Sequence, residues 1–244
     1  MRRAPGRGID LAVYARAIPL LLRTPSLIVI PLMTAVIGIL LGQVLQPFGS
    51  GTTGGLTLGL GGFVTRMLFL FGLGAACVIA DDAWRHGRAS FEKGWGEARR
   101  RAPELLMAAL GFSFVLSIGS YVGLIFGALA ALAVSALAVV LLIWTMPAAA
   151  VGGLPGAAAL SASVERVRDN AWPAIVAAVV AIALFAFAVP IASGYVVLWL
   201  APLLGSALSI ASQLIGALLE AIAVAYLALV LTKTYADAAF GRRW

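Results

Sequence analysis

From residue 105 to residue 164 the chain carries no Asp, Glu, Lys or Arg. A hydrocarbon core about 30 Å thick is crossed by about 20 apolar residues of helix, so this run of 60 residues is long enough for two crossings. A water-soluble fold of this size could not cover its surface with the chain's 27 Lys, Arg, Asp and Glu. The composition agrees: 62% of the 244 residues are hydrophobic and 11% are charged, against roughly 45–50% and 25% in soluble domains. Disorder is excluded by the hydrophobicity. A membrane barrel is excluded by long continuous apolar runs where it needs period-two alternation. The single Cys77 rules out a disulfide framework. The sequence therefore predicts an all-α polytopic membrane protein, with residues 1–244 forming a single transmembrane domain.

Six spans are expected near residues 26–46, 63–80, 105–121, 128–150, 172–198 and 204–232, paired as three hairpins. A Gly/Thr loop is expected at 48–62, a turn at the Gly-rich stretch 119–127, and a hinge at Pro202. The charge pattern orients them. Of the 17 basic residues, all but Arg66 fall in the N-terminal arm, in segment 81–104, in segment 154–171 or in the tail from Lys233. The loops between hold no charge. Lys and Arg stay cytoplasmic, which predicts both termini inside and the bacterial cytoplasmic membrane as location. The basic excess is read as orientation, with no nucleic-acid partner. The N-terminus lacks a small-residue cleavage motif, so residues 1–25 are expected as a basic arm and interfacial helix, interrupted at Pro19.

Each basic segment ends alike before a span. Arg23-Thr24-Pro25 precedes the first, Arg101-Ala102-Pro103 the third, and Asn170-Ala171-Trp172-Pro173 the fifth, with one residue inserted. Proline suits a first helical turn, where its missing N–H would have no partner. An Arg-containing apolar/polar stretch precedes each: 9–23, 90–101 and 157–168. The chain thus reads as three units of amphipathic cytoplasmic helix plus transmembrane hairpin; the plainer alternative is three basic flanks that happen to meet a proline.

The segment Ala83-Trp84-Arg85-His86-Gly87-Arg88-Ala89-Ser90-Phe91, followed by Trp95-Gly96-Glu97-Ala98-Arg99-Arg100-Arg101-Ala102-Pro103, resembles a group of six-helix prokaryotic membrane proteins. That group includes the membrane domain attached to some glycerophosphodiester phosphodiesterases. Pro155, Ala159-Leu160-Ser161 and Val167-Arg168-Asp169-Asn170 resemble the same group's second cytoplasmic helix. The resemblance implies a fold and topology and carries no catalytic residue.

Two ionisable residues lie within predicted spans, Arg66 and Glu220. Each costs about 2.5–3.5 kcal/mol or more if left alone at mid-membrane. Counted from Asp81 and Lys233, they lie about 22 and 20 Å deep at 1.5 Å per residue, so a pair between them is expected. Such a pair fixes helix register or marks an ion, proton or substrate path. Gln213, Ser209 and Ser212 are further polar groups in the sixth span.

Segment 81–104 offers a second candidate site. Trp84, Arg85, Arg88, Trp95, Arg99, Arg100 and Arg101 would form a cytoplasmic face for lipid headgroups or a soluble partner; the alternative is a helix neutralised by its own ion pairs. His86 reads as a solvated headgroup contact. The one His and one Cys do not furnish the ligand sets of zinc or haem sites, and no HExxH, GxSxG or phosphate-cradling glycine loop occurs. No cofactor and no enzymatic activity are expected. An accessory, scaffold or assembly subunit that binds membrane proteins or lipids is the leading expectation. The rival is a permease paired with a cytoplasmic ATPase, and the weaker third is lipid handling.

Overall fold

The computed structural model describes residues 10–45 and 54–241. The described residues are almost wholly helical: α1 (Ala12–Arg23), α2 (Ser26–Leu45), α3 (Gly54–His86), α4 (Phe91–Arg100), α5 (Ala102–Ile125), α6 (Ala128–Leu142), α7 (Thr145–Ala150), α8 (Gly156–Asp169), α9 (Ala171–Ala183), α10 (Val189–Leu204) and α11 (Leu208–Phe240). A π-helical turn, Leu184–Ala188, joins α9 to α10, and a 3₁₀ turn, Gly205–Ala207, joins α10 to α11. Six segments are long and apolar enough to cross a membrane: Ser26–Leu45, Gly59–His86, Ala102–Ile125, Ala128–Ala150, Ala171–Leu203 and Leu208–Phe240. This is the all-α polytopic architecture expected from the uncharged run and the hydropathy.

Several boundaries differ from the sequence reading. The expected loop 48–62 is helical from Gly54 onward, and residues 46–53 lie outside the described residues. At its other end α3 does not stop at the first charges. It continues through Asp81 to His86, with an i,i+4 ion pair from Arg85 to Asp81 at 2.6 Å covering that last turn. The sixth span likewise runs past Lys233, which pairs with Asp237 one turn on at 2.8 Å. Helix α1 runs through Pro19 instead of breaking there, and Pro202 lies inside α10, the bend falling at Gly205.

The turn between the third and fourth spans is tight, at Phe126–Gly127, where Gly127 adopts φ 105°. Gly123 is therefore no part of a loop. It lies in α5 where a Cβ would stand 2.5 Å from the Ala131 Cα and 2.9 Å from its N, so the missing side chain lets the backbones of α5 and α6 touch. The fourth span is broken at Ile143–Trp144, between α6 and α7. The π turn precedes Pro190, whose ring and missing N–H disturb the ladder one turn back; a widened turn is a common accommodation.

The basic segments are helices in all three places, and their burial shares one register. Counting back from the junction residues Thr24, Arg101 and Asn170, the seventh residue is buried in each case: Ala17, Gly94 and Ser163. Beyond the junctions, α5 buries Leu105, Ala108, Ala109 and Phe112, and α9 buries Ala174, Ala177, Ala178 and Ala181. α2 repeats that spacing, set one residue earlier, with Leu27, Ile30, Pro31 and Thr34. Thr24 (φ −131°, ψ 65°) and Asn170 (φ −137°, ψ 58°) share the same backbone bend.

Packing follows the same rule of three. Each short basic helix rests on the second crossing of the preceding hairpin: α4 on α3, α8 on α7, and α1 on α11, which closes the circle. α3, α7 and α11 meet one another at the centre. The contacts there are close because the buried residues are small, among them Ala75, Ala76, Ala80, Ala148, Ala149, Ala225 and Ala228. The bundle is tightest at this Arg-rich end. Toward the far end the outer halves of α5, α6 and α10 turn large apolar side chains outward, including Tyr121, Phe126, Leu129, Tyr195 and Trp199.

Candidate functional site

Two places were expected to carry chemistry, and the structure treats their residues differently. Of the seven residues expected to form the face in segment 81–104, two turn inward. The Trp84 indole N–H donates to the Leu229 carbonyl of α11 at 2.9 Å, so Trp84 clamps two central helices. Arg101 donates to the Ala150 carbonyl at the end of α7 and to Glu97 at 2.7 Å. A cation at a helix C-terminus satisfies carbonyls that lack helical donors and complements the dipole. Arg101 is thus a cap on the central short helix.

The remaining residues of that face stay outside. Arg85 pairs with Asp81 and Arg100 with Glu97, while Arg88, Trp95 and Arg99 are exposed. Phe91 and Trp95 stack with centroids 6.3 Å apart. Hydrogen bonds from Arg100 and then Arg101 hold the Glu97 carboxyl below its ordinary pKa, because they favour its charged form. Lys93 ties α4 to the end of α3 through Asp82 at 2.6 Å. His86 is exposed, with its Nδ1 3.1 Å from Asp82. The segment largely neutralises itself, leaving Arg88 and Arg99 as its outward cations.

The centre is held by groups that sequence reading passed over. At the break between α6 and α7 the Trp144 N–H donates to the Ser163 hydroxyl at 3.2 Å, and Ser163 donates in turn to the Leu141 carbonyl at 2.9 Å. One serine of α8 thus bridges the interrupted ladder. The fully buried Trp144 indole donates to Thr234 of α11 at 3.1 Å. At the neighbouring contact the Tyr226 hydroxyl donates to the Tyr14 carbonyl of α1 at 3.2 Å. Tyr14 itself is half-buried, and desolvation, then proximity to Tyr226, pushes its hydroxyl up to about 12. Only the small residue seven positions before each junction, Ala17, Gly94 and Ser163, could have pointed to Ser163.

The intramembrane pair is not formed. Arg66 turns from α3 toward α5 and donates to the Ser117 hydroxyl at 3.1 Å, and no ion pair among the described residues joins it to Glu220. Glu220 instead lines a cavity of about 180 Å³ between α2, α3 and α11, with Pro31, Thr34, Gly38, Thr65 and Phe69 among its walls. Depth along the helices puts the two charges at one level, but a helix turns about 100° per residue, and it is Thr65, not Arg66, that lines the cavity with Glu220. Phe69 packs edge-on against Phe185 of the π turn, with centroids 5.1 Å apart. Gln43 and Gln213 hydrogen-bond across α2 and α11 at 2.9 Å.

On one side of the cavity α2 and α3 approach closely. A Cβ on Gly72 would collide with the Thr34 hydroxyl. Thr34 bends back to donate to the Pro31 carbonyl at 2.9 Å, as a buried hydroxyl in a helix must when no other acceptor is near. No protein-family model matches this chain, and no curated protein or solved structure is detectably similar to it.

Proposed function

We propose that this protein is a non-enzymatic scaffold of the bacterial cytoplasmic membrane, with both termini inside, holding other membrane proteins or lipids. The observation that carries the reading is the closure of the Arg-rich end. Every residue of α7 is buried, and its Met146 joins Trp144 and the α11 residue Tyr235 in one apolar core. A solute path through the bundle would have to cross that plug. Meanwhile α10 presents Tyr195, Leu198, Trp199 and Leu203 outward, on a helix that packs chiefly within its own hairpin, a face suited to partner helices. Arg88 and Arg99 would meet anionic headgroups. The relationship to the six-helix prokaryotic group belongs to the same proposal.

A permease is the second reading, favoured by one feature, the cavity around Glu220. Two experiments separate the readings. A photo-crosslinker at Trp199 should give one discrete adduct in native membranes, while the same group at Leu40 of α2 gives only lipid. Purified protein in sealed vesicles should move no cation. Glu220-dependent flux in those vesicles would overturn the scaffold in favour of transport.

A further inference from the structure

The turn of Arg66 toward Ser117 leaves the Glu220 carboxyl, in the middle of a span, with no ion-pair partner among the described residues. In low dielectric such a charge is costly unless something positive is supplied. The surroundings offer oxygen. Thr34 and Thr65 line the same cavity. Thr34 spends its hydroxyl proton on the Pro31 carbonyl, which leaves that oxygen's lone pairs free. A cavity of about 180 Å³ also has room for several waters at about 30 Å³ each.

From this juxtaposition we infer that Glu220, Thr34 and Thr65 bind one sodium-sized monovalent cation, partly hydrated, between α2, α3 and α11. Oxygen ligands suit a hard cation. One carboxylate balances a single positive charge, whereas divalent ions are ordinarily held by more oxygens and more negative charge. The ligands come from three helices that belong to two hairpins, so the ion would lock the first hairpin to the last. Its role is independent of which partner the scaffold holds.

The test uses the purified full chain in lipid nanodiscs, with sodium chloride compared to choline chloride at equal ionic strength and alkaline pH. Sodium should raise the unfolding temperature in a saturable way, and Glu220→Gln should abolish the rise. Thr65→Val, which keeps shape and removes one oxygen, should raise the half-saturating sodium concentration about tenfold. On the unaltered protein, sodium should slow modification of Glu220 by dicyclohexylcarbodiimide, read by peptide mass. Equal unfolding in sodium and choline would overturn the inference. So would a modification rate indifferent to sodium, the signature of a carboxyl that binds a proton alone.

Discussion

Replacing Gly123 by Ala tests the close approach of α5 and α6. The new Cβ would stand 2.5 Å from the Ala131 Cα, 2.9 Å from the Ala131 N and 3.1 Å from the Ala130 carbonyl oxygen. All three are backbone atoms, so no rotamer change can relieve the clash; the helices must part. Overpacking of this kind costs about 1–3 kcal/mol. It is offset by the roughly 1 kcal/mol by which Ala exceeds Gly as a helix former. The net expectation is a loss of up to about 2 kcal/mol. Gly194 and Gly216 provide the control, because a Cβ at either meets nothing within 4 Å; there the same substitution should leave stability unchanged or raise it. Gly119, whose Cβ would meet the Val134 Cγ1 at 3.2 Å, should fall between. Unfolding of the detergent-purified variants, followed by intrinsic fluorescence, measures the order. If Gly123→Ala proves as stable as Gly216→Ala, the backbone contact is wrong and the turn is the loose glycine loop that composition first suggested.

Trp144→Phe should cost about 0.5–1.5 kcal/mol through the lost hydrogen bond to Thr234, and Trp144→Ala about 3–5 kcal/mol, both measured by the same unfolding assay. Ser163→Ala strands the Trp144 N–H and the Leu141 carbonyl and should cost about 1–3 kcal/mol. Arg101→Ala should lower stability by about 1.5–3 kcal/mol, while Arg99→Ala stays within about 0.5 kcal/mol and instead weakens binding to anionic vesicles. The depressed Glu97 carboxyl contributes stability that is complete above its unfolded value and is lost as pH falls through its lower folded value. A melt series should therefore show a decline below about pH 4 that Glu97→Gln flattens.

What the sequence made legible was set by transfer energetics, which act on whole segments. The spans, their number and the three basic helices follow from runs of apolar residues and from where charge is excluded. Rotation about the helix axes did not follow, because it depends on which neighbour each face meets. Arg66 and Glu220 show this: one level, two faces. The stripe Thr65, Phe69, Gly72 on α3, opposite Pro31, Thr34 and Gly38 on α2, carried the signal, as small and hydroxyl residues at helical spacing mark a helix contact. Charged helix ends were misread for a different reason. Hydropathy stops a span at Asp81, whereas the backbone continues as long as i,i+4 partners such as Arg85 are at hand.

The most direct test of a six-span bundle with both termini on one side is cysteine accessibility in intact cells. Cys77, the chain's one cysteine, is buried, so the unaltered protein should be silent to a membrane-impermeant maleimide. Phe126→Cys, at the exposed α5–α6 turn, should react from outside. Arg88→Cys, in the exposed connection between α3 and α4, should react only after the cells are opened. Labelling of both positions from the same side would contradict the topology and the membrane scaffold built on it.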